Sequence, residues 1–244
     1  MKKIYFLLVA LLLTLSAGAQ TLRGDVNNDG VVNIGDVTSL VDVILYGDEE
    51  PATDSRAIDL GLSVKWASCN VGATAPEEYG GYYAWGETEE KSNYDWSTYK
   101  YCNGSFNSMT KYCTDSFYGT VDNKTTLEPD DDVAHVQWGG SWRMPTLDEL
   151  TELFNECTWE WTSLNGVNGY CVTGPNGNSI FLPAASCRDG SEISLRGYHG
   201  GYWSSSLKSN ESYHAYYLDF LSSSGCYWGI YGRHQGRSVR PVCE

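Results

Sequence analysis

Glycine-rich turns interrupt the sequence from residue 57 to residue 244 and limit what this region can fold into. The pairs Gly139-Gly140 and Gly200-Gly201, among others, separate aromatic and apolar runs that are too short for long helices. Glycine pairs favour turns, and short aromatic or β-branched runs between them favour strands. We therefore expect mostly short, irregular strands joined by turns.

Two segments of this region have clear periodicity. Thr146 followed by Glu149 forms a capping box and predicts the start of a helix, with a buried stripe behind it at Leu147, Leu150, Leu153 and Phe154. Residues 213–220 alternate as a half-buried strand does. The alternation predicts that Tyr216, Leu218 and Phe220 face inward and that Tyr217 and Asp219 face solvent.

The N-terminus has the three regions of a secretory signal peptide. Lys2 and Lys3 precede an apolar run that ends near Leu15, and small residues lead to a predicted cleavage after Ala19. We therefore expect residues 1–19 to be removed and the protein to be extracellular, on the cell surface or periplasmic. No later run approaches the roughly 20 apolar residues of a membrane-spanning helix, so the mature chain is predicted to have no transmembrane segment.

The charge of the chain narrows the classes of partner, and its cysteine content bears on disulfides. The chain carries 31 acidic and 16 basic residues, a formal net charge of -15, which disfavours nucleic acid as a ligand because phosphates would be repelled. Eight cysteines in an exported chain favour disulfides. Their spacing alone leaves the pairing open.

Residues 20–47 contain a predicted calcium loop followed by a helix. Ligands fall at the spacing that Ca²⁺ requires, with Gly30 at the sharp turn; they are Asp25, Asn27, Asp29, the carbonyl of Val31, Asn33 and Asp36. The loop and its helix resemble one dockerin repeat, which implies a cohesin-like partner. The alternative is a spacer segment whose fold is stabilised by bound calcium. The charged residues 48–56, which include Pro51, predict a linker.

The C-terminal segment, residues 188–244, is rich in Tyr, Trp, Ser, Gly, His and Arg. This mixture is typical of recognition surfaces. The chain has neither the nucleophile elbow of hydrolases nor a His-Glu-x-x-His zinc motif. The sequence therefore predicts a binding protein and not an enzyme.

Several blocks in order carry a family resemblance: Leu60-Gly61-Leu62-Ser63-Val64-Lys65-Trp66, Trp138-Gly139-Gly140-Ser141-Trp142-Arg143-Met144-Pro145-Thr146, Tyr202-Trp203-Ser204-Ser205-Ser206 and Gly236-Arg237-Ser238-Val239-Arg240-Pro241-Val242. They resemble the Fibrobacter succinogenes major paralogous domain (FISUMP), common in secreted proteins of gut Bacteroidetes. The resemblance covers residues 57–244. It implies an α+β, C-type-lectin-like fold with few helices, and a ligand face carried by loops and a late sheet.

Some proteins that this segment resembles are diversified by retroelements near the C-terminus. The resemblance implies scaffold positions at Trp203, Leu218, Phe220, Val239 and Val242. It implies ligand contacts, to a surface protein or a glycan, at Arg188, Tyr198, His199, Tyr202, Tyr217, Asp219, Tyr227, Trp228, Ile230, Tyr231, Arg233 and His234.

Two disulfides are expected, and two alternative functions are left open. The resemblance implies a disulfide between Cys69 and Cys243, and Cys102 with Cys113 is a predicted local bridge. One alternative function is an accessory component of a polysaccharide-degrading system, attached through the dockerin-like repeat. The other is an enzyme similar to those that modify sulfatases.

Overall fold

The computed structural model describes residues 54–222 and 225–244, together with Val32 and Val37. Apart from Val32 and Val37, the predicted signal peptide, the calcium loop with its helix, and most of the predicted linker lie outside the described residues. The described unit begins at Asp54, three residues before the predicted boundary. The Asp54 carboxylate accepts hydrogen bonds from Arg56 Nη2 at 2.5 Å and Trp142 Nε1 at 2.8 Å, so the end of the predicted linker is part of the folded unit.

Antiparallel strands dominate the described residues. The helices are α1 (Val133–Trp138) and α2 (Leu147–Glu156), and the strands are β1 (Ala57–Ile58), β2 (Lys65–Ala67), β3 (Thr158–Leu164), β4 (Val167–Thr173), β5 (Ser179–Pro183), β6 (Cys187–Asp189), β7 (Glu192–Ser194), β8 (His199–Leu207), β9 (His214–Leu221), β10 (Gly225–Gly232), β11 (Gly236–Arg237) and β12 (Val242–Cys243). They form four three-stranded sheets, ordered β1-β2-β12, β3-β4-β5, β11-β6-β7 and β10-β9-β8. The predicted α+β class is therefore wrong, because the two helices form no layer comparable to the sheets.

Helix α2 begins where the sequence predicted. The Thr146 side chain accepts from the Glu149 backbone N–H at 3.2 Å, and the Glu149 carboxylate accepts from the Thr146 N–H at 2.8 Å, which completes the capping box. Leu150 and Leu153 are buried as expected. Phe154 is 37% exposed, so the predicted apolar stripe is narrower than its sequence suggested.

An Asn-Gly turn sets the register of the β3–β4 hairpin. Leu164 pairs with Val167, so only Asn165 and Gly166 form the loop. Both residues have positive φ, 48° and 84°, as a type I′ turn requires. The turn aligns the edge strand β3 with the buried strand β4.

The sheet formed by β8, β9 and β10, here called the central sheet, lies between two apolar cores. Trp203 and Tyr217 face the first core, which also contains Trp85 and Tyr112. Tyr202, Leu218 and Phe220 face the second, with Trp66, Leu150 and Leu153. Alternation along β9 is as predicted, but both of its faces are covered. The prediction that Tyr217 and Asp219 face solvent is wrong, because each is 6% exposed.

The first and last strand blocks meet, but their cysteines do not pair. Strand β12 lies beside β2, with Cys243 opposite Lys65. All eight cysteines, which lie within the described ranges, are free thiols, so neither predicted disulfide is present.

Candidate ligand-binding site

A groove of about 330 Å³ opens at one end of the central sheet, and aromatic rings form most of its lining. We call it the aromatic groove. Its lining residues are Trp96, Phe106, Tyr213, His214, Tyr231, Gly232 and His234. Its volume lies at the lower end of the range for small-molecule sites. The groove is therefore suited to a small ligand or to a side chain of a larger one.

A short 3₁₀ helix, Trp96–Thr98, holds the first wall of the groove. The Asp95 carboxylate caps it by accepting from the Ser97 N–H at 2.8 Å. The Trp96 ring lies 4.2 Å from the His234 ring and 5.7 Å from the Tyr99 ring. Because Tyr99 is buried in the first core, Trp96 is fixed on one side and presents its remaining surface to the groove.

The opposite wall comes from a tight turn and from the start of β9. The turn is closed by the Asn103 N–H donating to the Ser108 carbonyl at 3.0 Å, and it carries Phe106, which is 42% exposed. The Tyr213 ring lies 5.3 Å from that of Phe106 and 5.2 Å from that of Tyr118. These contacts continue the aromatic surface beyond the groove.

The end of β10 closes the groove and depends on a glycine. A Cβ at Gly232 would lie 2.7 Å from the His234 ring and 3.2 Å from Trp96, so any larger residue would push these rings apart. Tyr231, the preceding residue, is 44% exposed. Burial lowers the pKa of His234 below its usual value, which favours the neutral imidazole at physiological pH.

Three carboxylates lie beside residues that line the groove. Asp189 Oδ1 lies 3.7 Å from His234 Nε2, and Glu211 Oε2 lies 2.8 Å from His214 Nδ1. Asp95 precedes Trp96, and the negative charge of Asp95 acts on His234. The rim is therefore acidic while the floor is aromatic.

Arg233 lies beneath this surface and does not face the groove. It is 0% exposed. Its Nη1 donates to the Tyr112 carbonyl at 2.8 Å and its Nη2 to the Lys111 carbonyl at 3.1 Å. The guanidinium lies 5.3 Å from the rings of Trp85 and Tyr99. Arg233 therefore connects the end of β10 to the first core, and the prediction that its side chain faces solvent is wrong.

Arg237 and Arg240 are buried in the same way. Arg237 Nη2 donates to Gln235 Oε1 at 2.8 Å, and its guanidinium lies 3.6 Å from the Tyr217 ring. Arg240 donates to the carbonyls of Ala67 and Phe181 and to Asn70, all within 2.9 Å. Backbone carbonyls accept from Arg240, whereas aromatic faces and the Gln235 amide surround Arg237, whose Nε and Nη1 have no hydrogen-bond partner among the described residues. Both arginines therefore fix the C-terminal segment to the rest of the fold.

The structure separates the predicted ligand residues into three groups. Tyr231 and His234 line the aromatic groove. The second group lies outside the groove's lining, exposed or half-buried: Tyr198, Tyr227, Trp228, Ile230, Arg188 and His199. The third group is buried, contrary to the solvent-facing positions predicted for it: Tyr202, Tyr217, Asp219 and Arg233.

One cluster has the residue types of a catalytic triad. His199 Nε2 lies 2.6 Å from Asp219 Oδ1, and His199 Nδ1 lies 3.3 Å from Ser186 Oγ. Ser186 is 1% exposed, and its hydroxyl donates to the Ser194 carbonyl. Burial would raise the pKa of Asp219, but hydrogen bonds from His199 and Tyr217 outweigh it and lower the pKa. A buried hydroxyl whose proton is already donated is poorly placed for attack, so the geometry does not favour Ser186 as a nucleophile.

The sequence did not identify five of the residues that line the groove. Tyr213 and His214 belong to the C-terminal segment, whose composition was the available signal. Trp96 and Phe106 lie more than 100 residues before Tyr213 in the chain, and no motif links them to it. Gly232 had no signal beyond its residue type.

The predicted calcium ligands, Asp25, Asn27, Asp29, Val31, Asn33 and Asp36, lie outside the described residues. Within 54–222 and 225–244, no group of three or more His, Cys, Asp or Glu side chains is arranged to hold a metal ion. No helix in the described part of the chain is long and apolar enough to cross a membrane.

Comparison with protein-family models, with curated proteins and with solved structures finds no match to this chain. The functional argument therefore depends on the geometry of the groove.

Proposed function

We propose that this protein is an exported binding protein whose ligand occupies the aromatic groove. The observation that carries this proposal is the arrangement of aromatic side chains from four separate segments around one opening of about 330 Å³. Tyr and Trp provide large contact area at low conformational cost. The signal-peptide pattern at residues 1–19 and the resemblance to a domain of secreted proteins support export.

Rigidity beneath the groove supports binding as its role. Trp96 packs against the buried Tyr99, and Arg233 ties the end of β10 to two backbone carbonyls. A ligand that meets preformed walls loses less free energy to ordering the site than one that meets mobile loops. The buried hydroxyl of Ser186 further supports binding over catalysis.

The proposal predicts which tryptophan has an NMR signal that shifts when the ligand binds. We suggest titrating the ¹⁵N-labelled full chain with cellopentaose and with capped pentapeptides that differ in their central side chain. The indole N–H signal of Trp96 should shift on binding, and that of the fully buried Trp203 should not. Shifts centred on Trp228 with Trp96 unaffected, or no shift with any probe, would contradict the proposal.

A further inference from the structure

The aromatic groove combines ring faces with an acidic rim, and this combination selects for positive charge. We propose that its ligand is a basic side chain, arginine or lysine, carried by an extended segment of a partner protein. This inference rests on the proposed function of the groove and names the chemistry of its ligand. Aromatic faces attract cations through the ring quadrupole, and the attraction strengthens when water is excluded.

Three carboxylates are positioned to add to that attraction. The Asp189 side chain is 64% exposed and that of Glu211 is 34% exposed, so both remain available to a ligand. Asp95 is exposed and adjoins Trp96 in the chain. The positive charge of Lys91 also acts on His234. Lys91 Nζ lies 2.8 Å from Glu87 Oε2, so it offsets little of the negative charge beside the groove. The net charge of -15 would also attract a basic partner at long range.

The shape of the groove favours a side chain of a protein over a free small cation. A volume of about 330 Å³ is larger than a lone ammonium group needs. The ring surface also continues past Phe106 through Tyr213 and Tyr118 to Phe117, with ring centroids 5.1 to 5.3 Å apart. Phe117 is 65% exposed. This continuation gives residues that flank a bound arginine or lysine an apolar surface to cover.

Paired peptides test the role of charge. The probes are a capped pentapeptide Gly-Arg-Gly-Arg-Gly and the same peptide with citrulline, a neutral analogue of the same shape, in place of arginine. NMR titration of the full chain should show that the arginine peptide binds at least about tenfold more tightly than the citrulline peptide. Raising NaCl from about 20 to about 200 mM should lower the affinity for the arginine peptide several-fold, because salt screens exposed charges.

Variants of the full chain locate the effect. Trp96→Ala should lower the affinity for the arginine peptide about tenfold. Asp189→Asn should lower this affinity several-fold and reduce the salt dependence of binding. Tyr198→Ala is the matched control, since Tyr198 is 61% exposed and is not among the residues lining the groove. The affinity of Tyr198→Ala for the arginine peptide should match that of the wild type.

The outcomes separate this inference from the proposed function. Equal affinity for the arginine and citrulline peptides, with both weakened by Trp96→Ala, overturns the preference for a cation and leaves the groove as a binding site. Binding of cellopentaose that depends on Trp96, without binding of the arginine peptide, has the same meaning and points to a glycan. If Trp96→Ala changes the affinity for none of the three probes, both proposals fail.

Discussion

Replacing Asp131 with alanine is expected to lower the free energy of unfolding by about 3–5 kcal/mol, the range for breaking a buried ion pair from one side. The Asp131 side chain is 6% exposed and lies 2.5 Å from Lys111 Nζ. It also accepts hydrogen bonds from the hydroxyls of Tyr101 and Tyr112, which belong to the first core or its edge. The substitution leaves these donors buried without an acceptor.

Chemical denaturation of the Asp131→Ala variant measures this loss, and its neighbour supplies the control. Asp130 is exposed, so Asp130→Ala should change stability by no more than about 0.5 kcal/mol. Equal effects at the two positions would contradict the buried network.

The same carboxylate predicts a dependence on acid. Burial would raise the pKa of Asp131, but hydrogen bonds from Lys111, Tyr101 and Tyr112 outweigh it and lower the pKa to about 2. The folded-state pKa thus lies below the unfolded value of about 3.9. The stabilisation is therefore present above pH ~4 and is lost as the pH falls towards 2. Between these values the wild type should lose about 2 kcal/mol more than Asp131→Asn.

Replacing Arg233 with alanine is expected to destabilise the domain by about 3–5 kcal/mol, because the loss of buried hydrogen bonds and the creation of a cavity add. The carbonyls of Tyr112 and Lys111 lose their buried donors. The space beside the rings of Trp85 and Tyr99 becomes a cavity. Arg233→Lys should recover only part of the loss, because a single ammonium cannot reproduce the planar fork of donors.

Arg196 provides the matched control for this variant. It is exposed, with its guanidinium 5.0 Å from the Tyr79 ring, and Arg196→Ala should cost at most about 1 kcal/mol. Thermal or chemical denaturation of both variants distinguishes a scaffold role from a ligand role. A fully stable Arg233→Ala variant would contradict the scaffold role.

Local features of the fold were predictable where neighbouring residues determine the structure. Thr146 and Glu149 lie within one helical turn, so their reciprocal caps predicted the start of α2. The two-residue period of β9 placed Leu218 and Phe220 on one face correctly. Both features depend on contacts between residues close in sequence or on a simple period.

The environment of each face was not predictable in this way. Alternation states that Tyr217 and Leu218 point in opposite directions, but it does not state what covers either direction. The first core covers Tyr217 with segments that are distant in sequence, including Trp85 and Tyr112. The solvent-facing prediction failed for this reason. Similarly, the composition around Arg233 matched a recognition surface, although backbone carbonyls bind its guanidinium.

The candidate site was predictable only on its C-terminal side. Tyr231 and His234 were identified from composition and resemblance, and both line the groove. Trp96 and Phe106 reach it through long-range packing, which leaves no pattern in the local sequence. The sequence therefore located two of the seven residues that line the groove, Tyr231 and His234, and missed the other five.

The central claim is that the ligand binds in the aromatic groove and not on the exposed edge of β10. Trp96 lines the groove, while Trp228 is 52% exposed on β10 and packs edge-on against Tyr216. The direct measurement is the affinity of Trp96→Ala and Trp228→Ala for a probe that binds the wild type, determined by calorimetry. We predict a loss of about tenfold for Trp96→Ala and a change within about twofold for Trp228→Ala. A loss confined to Trp228→Ala would contradict the account.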